Sequence, residues 1–150
     1  MIVQDISKID KITKADKEGF LKAYKVIYSR DVPYFTEYAK EYCNTYKDNC
    51  SLLDYTFIYQ LGLNVARHNE DYPINPREPD IIREGLHLML TLKDAQEWIK
   101  MSYNKIVEVY YKKEDVIAYG FLQGTKIQGV IVKQLIIKSL EGIKLSIIQN

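Results

Sequence analysis

Phe20-Leu21-Lys22-Ala23-Tyr24-Lys25-Val26-Ile27-Tyr28 is the stretch on which the fold turns. Tyr24 and Tyr28 stand four residues apart, the spacing that stacks side chains on one face of an α-helix. Read with that period, Phe20, Tyr24, Ile27 and Tyr28 form an apolar stripe, and Lys14, Lys17, Lys22 and Lys25 occupy most of the rest. The pattern predicts a first helix over 14–29.

The same step recurs downstream. Tyr34, Tyr38, Tyr42 and Tyr46 form a ladder, and Tyr55 and Tyr59 repeat the interval. Asp31-Val32-Pro33 suits a helix start, because Asp can cap and Pro is tolerated in the first turn. A second helix is expected from there to about residue 47. A third is expected over about 52–68. Its apolar residues cover most of the circumference and leave Thr56, Gln60, Asn64 and His68 as a polar line, as in a buried helix.

A short signature supports these starts. Thr13-x-x-Asp16, Ser51-x-x-Asp54 and Thr91-x-x-Asp94 each set a hydroxyl at a potential N-cap and a carboxylate three residues on. Leu92, Ala95, Ile99, Tyr103, Ile106 and Tyr110 then extend a helix from 92 across five turns. Residues 81–90 read as a short helix after Pro79, with Leu86, Leu88 and Leu90 supplying a competing strand pattern. Pro73, Pro76 and Pro79 mark a stiff extended connector. From Val116 to Ile148 the chain is rich in β-branched residues, with turns expected at Gly124-Thr125 and Glu141-Gly142. The expected fold is therefore mainly α: a single domain over 1–150, with four to five helices packed as a compact bundle over about 13–112. A small C-terminal antiparallel β element completes it over about 116–148.

Composition narrows the function classes. Hydrophobic residues at 47% and charged residues at 27% are those of a globular chain. The net charge is +1, and neither half is strongly basic, so no broad electrostatic grip on nucleic acid is written into the composition. No apolar run approaches the roughly 20 residues that span a bilayer. With no signal-like start, a cytoplasmic location and no membrane partner are expected. The excess of Lys over Arg and the abundance of Ile fit an AT-rich genome or a thermophile.

Candidate chemistry is sparse. His68, His87 and Glu84, with Asp71, are the residues from which a metal site would have to be built, but a di-metal centre needs two Glu-x-x-His pairs and only Glu84-x-x-His87 is present. No cofactor is expected. Cys43 and Cys50 are too few for a disulfide scaffold, although a bridge between them is sterically feasible in the expected helical hairpin. No nucleophile elbow, phosphate loop or dinucleotide fingerprint occurs, so the reading leans away from an enzyme.

Tyrosine is favoured at protein interfaces, where one ring supplies a large contact area with few rotatable bonds. The expected function is a non-catalytic assembly or adaptor protein that binds protein, chiefly itself, through Tyr34, Tyr38, Tyr42 and Tyr46. The alternative is a subunit of a nucleoprotein complex that touches DNA or RNA through Lys8, Lys11, Lys14, Lys17, Lys22 and Lys25 and nearby tyrosines. An enzyme whose site is invisible in sequence is the third reading.

Overall fold

The computed structural model describes residues 2–29, 48–51, 57–67, 81–82, 85–98 and 104–144, and in it the opening stretch is a β-strand. The fold is not a helical bundle: strand accounts for 50% and helix for 13% of the described residues. The strands are β1 (Ile2–Gln4), β2 (Phe20–Tyr28), β3 (Gly62–Val65), β4 (Ile81–Ile82), β5 (Leu86–Met89), β6 (Asn104–Lys112), β7 (Val116–Leu122), β8 (Gln128–Val132) and β9 (Gln134–Ile137). They form one antiparallel sheet in the order β3-β9-β6-β2-β5-β8-β7-β1-β4.

The physical reason for the correction lies in the spacing itself. Four is an even number, so residues four apart share a face in a strand as well as in a helix. In β2, Leu21, Ala23 and Ile27 are buried on one side, and Phe20, Lys22 and Tyr24 lie on the other. The long antiparallel pairing of β2 with β6 runs from Phe20↔Lys112 to Tyr28↔Asn104 and supplies the backbone partners that a helix would have supplied internally.

Within the described residues other helical expectations meet the same competition, whereas the second helix expected from Asp31 to about residue 47 lies outside those residues. Residues 81–82 and 86–89 are strands, and β5 pairs with β8 from Leu86↔Val132 to Met89↔Gly129. The segment 62–65 is β3, not the end of a buried helix. The helix at 92 does form, as α1 (Leu92–Trp98), with Thr91 Oγ1 accepting the Asp94 N–H at 3.1 Å. It does not continue to Tyr110, because Asn104–Lys112 is β6. Asp16 caps a turn instead of a helix: its Oδ1 accepts the N–H groups of Glu18 and Phe20, both at 2.9 Å, as the chain turns into β2.

The C-terminal strands fall where β-branched residues accumulate, and β7 and β8 are joined through the turn at Gly124, where φ is +77°. Of the expected hairpin about Glu141-Gly142, residues 138–144 form no strand, and the part beyond residue 144 lies outside the described residues. Ile136 belongs to β9, which pairs with β3 and β6, and Ile143 N–H donates to Ile106 O at 2.8 Å.

The sheet is strongly curled. Tyr111 on β6 and Tyr119 on β7 bring their hydroxyls to 3.4 Å, although three strands separate β6 from β7 in the sheet. Four strand steps span about 19 Å in a flat sheet, where such side chains would stand parallel and apart. The concave side therefore closes on itself and holds one apolar cluster, including Leu21, Ala23, Ile27, Tyr59, Leu88, Val109, Val130 and Leu135. A second cluster, with Ile2, Val26, Met89, Ala95, Ile106 and Ile131, lies under α1 on the opposite side. Beyond α1 that outer side of β3, β9, β6 and β2 carries half-buried and exposed residues.

Candidate functional site

Lys25 is the least expected residue of the concave core. The two-residue alternation of β2 sends it to the same side as Leu21, Ala23 and Ile27, and it is 5% exposed. β2 and β5 pair at Tyr24↔Met89 and then diverge. In the gap, Lys25 Nζ donates to the His87 main-chain oxygen at 2.8 Å and lies 5.5 Å from the centre of the Tyr59 ring. Burial disfavours the ammonium and lowers its pKa from 10.5 to about 7. His87 is also buried. Its Nδ1 is 3.1 Å from Gly85 O, and burial, followed by the Lys25 charge, lowers its pKa from 6.5 to about 3. A cleft beside them, lined by Tyr24, Lys25, Val26, His87, Met89, Trp98 and Leu122, has room for about one water. Two titratable groups with shifted pKa values in a cleft are a reason to look for chemistry. Here the cleft admits nothing of substrate size, and Lys25 acts as a tie across a gap between strands.

Among the described residues, the outer side of β3, β9, β6 and β2 carries exposed and half-buried side chains. At its margin β3 is, among the described residues, the terminal strand of the sheet. Leu61, Leu63 and Val65 are 60%, 51% and 54% exposed. Ala66 N–H donates to the oxygen of Lys133, the residue just before β9, so the alternation of an antiparallel ladder turns the backbone groups of Leu63 and Val65 away from β9. Asn64 is buried, and its side chain closes the bend before the strand through Gln60 N–H and the oxygens of Gln60 and Gly62. Further in, Phe20 and Tyr110 carry Lys112 and Lys138 over their rings at 5.1 and 4.2 Å.

The residues expected to act are dispersed. Tyr34, Tyr38, Tyr42 and Tyr46 lie outside the described residues, as do Cys43, His68, Asp71 and Glu84. The base of the tyrosine segment is described: Tyr28 N–H donates to Cys50 O and Asn49 N–H to Tyr28 O, so the chain leaves β2 and returns to its end. Cys50 is buried and bridges Ile58 there. Of the six lysines, Lys8 pairs with Asp5 at 3.6 Å and Lys11 with Asp94 at 3.1 Å. Lys14 and Lys17 are exposed before β2, Lys22 is exposed on it, and Lys25 is inside. They do not share one helical face, because residues 8–25 comprise a short 3-10 turn, an extended segment and β2.

Among the described residues, no group of three or more His, Cys, Asp or Glu side chains is placed to hold a metal ion. Nor is any helix there long and apolar enough to cross a membrane. The edge strand β3 and the role of Lys25 were missed by sequence reasoning. The available signals were a charge-free run between Asp54 and Arg67 and a lysine in phase with Leu21, Ala23 and Ile27. No protein-family model, curated protein or solved structure matches the chain.

Proposed function

We propose that the protein is a non-catalytic assembly protein that pairs with a second copy of itself along the free edge of β3. The observation that carries this reading is the exposure of Leu63 and Val65 on the strand that ends the sheet among the described residues, with exposed Leu61 just before it. Sheet edges are normally blunted by lysine, proline, bulges or brevity. The opposite edge, β4, is blunted by its two-residue length. β3 carries none of these devices, and no charged residue lies between Asp54 and Arg67.

A second copy is the occupant that best suits this edge. An antiparallel strand is complementary to itself about a two-fold axis, which sets each copy's leucines and valine against the other's. A charge-free strand meets its own copy without placing like charges opposite one another. The contact is small, so the dimer should be weak and concentration-dependent.

Sedimentation velocity over roughly a hundredfold range of concentration tests the reading. The expected result is a monomer that becomes a dimer as concentration rises. Leu63→Lys and Val65→Lys, both at exposed positions, should keep the circular dichroism spectrum and remain monomeric. A wild-type protein that stays monomeric throughout would overturn the assembly reading. A dimer that survives both substitutions would overturn its assignment to β3.

A further inference from the structure

Phe20, Tyr24 and Tyr110 lie on one side of the β2–β6 pair, each half-buried with part of its ring toward solvent. The register sets charged side chains directly opposite them: Phe20↔Lys112, Lys22↔Tyr110 and Tyr24↔Glu108. Lys138 reaches over from the end of β9 to lie 4.2 Å from the centre of the Tyr110 ring. Lysines thus lie opposite Phe20 and Tyr110, while Tyr24, opposite Glu108, rests with one side against the cluster under α1 and keeps the other toward solvent.

Two features indicate what fits there. The first is shape. An uncovered antiparallel sheet face with several rings presents flat apolar surfaces at intervals set by the strand spacing, which suits unstacked bases and does not suit a duplex. The second is charge. Lys22, Lys112 and Lys138 lie among the rings. Glu108 accepts a hydrogen bond from the Tyr110 hydroxyl, and Asp16 at the rim is occupied by the N–H groups of Glu18 and Phe20. The lysines over Phe20 and Tyr110 are held by surface cation–π contacts, which are weak enough to yield to a base while the ammonium moves to a phosphate.

We propose that this face is a binding platform for single-stranded nucleic acid, with Phe20, Tyr24 and Tyr110 stacking bases and Lys22, Lys112 and Lys138 neutralising phosphates. The platform is complete within one copy, so it does not rest on pairing through β3. Three phosphate contacts imply a shallow salt dependence, with log K falling against log salt with a slope of about −2. Stacking supplies the larger share of the affinity.

The test is fluorescence anisotropy of the full chain with labelled oligo(dT) and oligo(U) about ten nucleotides long. A duplex of the same length and polyglutamate serve as competitors. Saturable binding with the stated slope is expected, and neither competitor should displace the single strand efficiently. Tyr110→Ala should weaken binding roughly tenfold, and Lys138→Glu should weaken it and flatten the slope by at least about 0.7. Lys138 is exposed, so its variant guards against a misfolded Tyr110→Ala. A preference for oligo(U) over oligo(dT), or the reverse, would specify which nucleic acid is bound. Absence of saturable binding at low salt overturns the proposal. So does binding that both variants leave unchanged, or that polyglutamate displaces as well as the oligonucleotide.

Discussion

Lys25 and His87 are joined through a 2.8 Å hydrogen bond from the ammonium nitrogen to the main-chain oxygen, in the gap where β2 leaves β5. The bond occupies a strand carbonyl at a point where the ladder offers no partner. In return, a cation sits inside an apolar cluster, and its cost depends on pH. The folded pKa, about 7, is below the ordinary 10.5. Between these values the unfolded chain holds a proton that the folded chain has released. Stability therefore rises as pH increases from about 7 to 10.5, by at most about 5 kcal/mol, and the full penalty is present below pH 7.

Lys25→Met should remove that slope. Urea midpoints measured from neutral pH to pH 9, below the range where the unfolded tyrosines ionise, should climb for the wild type and stay level for the variant. Near neutral pH the variant should be the more stable by about 1–2 kcal/mol, because the relief of a buried charge exceeds the cost of the freed His87 carbonyl. Parallel curves would mean that Lys25 keeps its proton in the folded state throughout.

His87 acts on the acid side. Its folded pKa, about 3, is below the ordinary 6.5, so the unfolded chain gains a proton first as pH falls. Stability should decline from pH 6.5 downward, and the decline should be complete near pH 3. The window from 6.5 to 5 isolates this group from the carboxylates, whose ordinary values lie near 4. In that window His87→Leu should flatten the decline, as read by thermal midpoints. An unchanged slope would show that the imidazole titrates in the folded protein as it does in the unfolded one.

Gly120 and Gly129 face each other across β7 and β8, and together they admit β1. A Cβ on Gly120 would stand 1.9 Å from Val3 O, and one on Gly129 would stand 2.7 Å from Ile2 Cδ1. Ile2 is fully buried in the cluster under α1. Gly120→Ala should therefore displace β1 and destabilise the protein by about 2–3 kcal/mol. Hydrogen exchange should show lost protection at Ile2–Gln4. Wild-type protection in the variant would mean that β7 yields instead and β1 keeps its place.

These residues also show which parts of the fold were legible. The strands of the C-terminal third announced themselves because Val and Ile there serve two buried faces, as in Gln128–Val132, where every residue is buried. β2 was hidden by Lys25, which replaces an apolar residue in the series Leu21, Ala23, Ile27 and so erases the alternation. The four-residue tyrosine step then filled the gap with a spacing that a strand satisfies equally well. Thr91 and Asp94 fixed the start of α1, since a cap is local chemistry. The end of α1 was not local, because Asn104–Lys112 is drawn into the sheet by β2 and β9. The open face could not be read at all: Phe20 and Tyr110 belong to β2 and β6, Lys138 follows β9, and only register brings them together.

Asp94 and Lys11 offer a test of a buried pair with unequal members. Lys11 Nζ reaches both carboxylate oxygens, at 3.2 and 3.1 Å, and the side chains are 4% and 35% exposed respectively. The N-terminal segment is further fixed by Gln128, whose side chain bonds Asp10 at its carboxylate and at its N–H, and Lys11 at its N–H. Removing the acid leaves an ammonium that can turn to water. Removing the base leaves a carboxylate shut inside. Lys11→Ala should therefore cost more, about 2 kcal/mol, than Asp94→Ala at about 1 kcal/mol, although Lys11 is the more exposed residue. A double-mutant cycle by chemical denaturation should give a coupling of about 1 kcal/mol, trimmed by solvent on the Lys11 side. Equal single-mutant costs with no coupling would show that the pair follows from the position of the N-terminal segment and does not help to hold it.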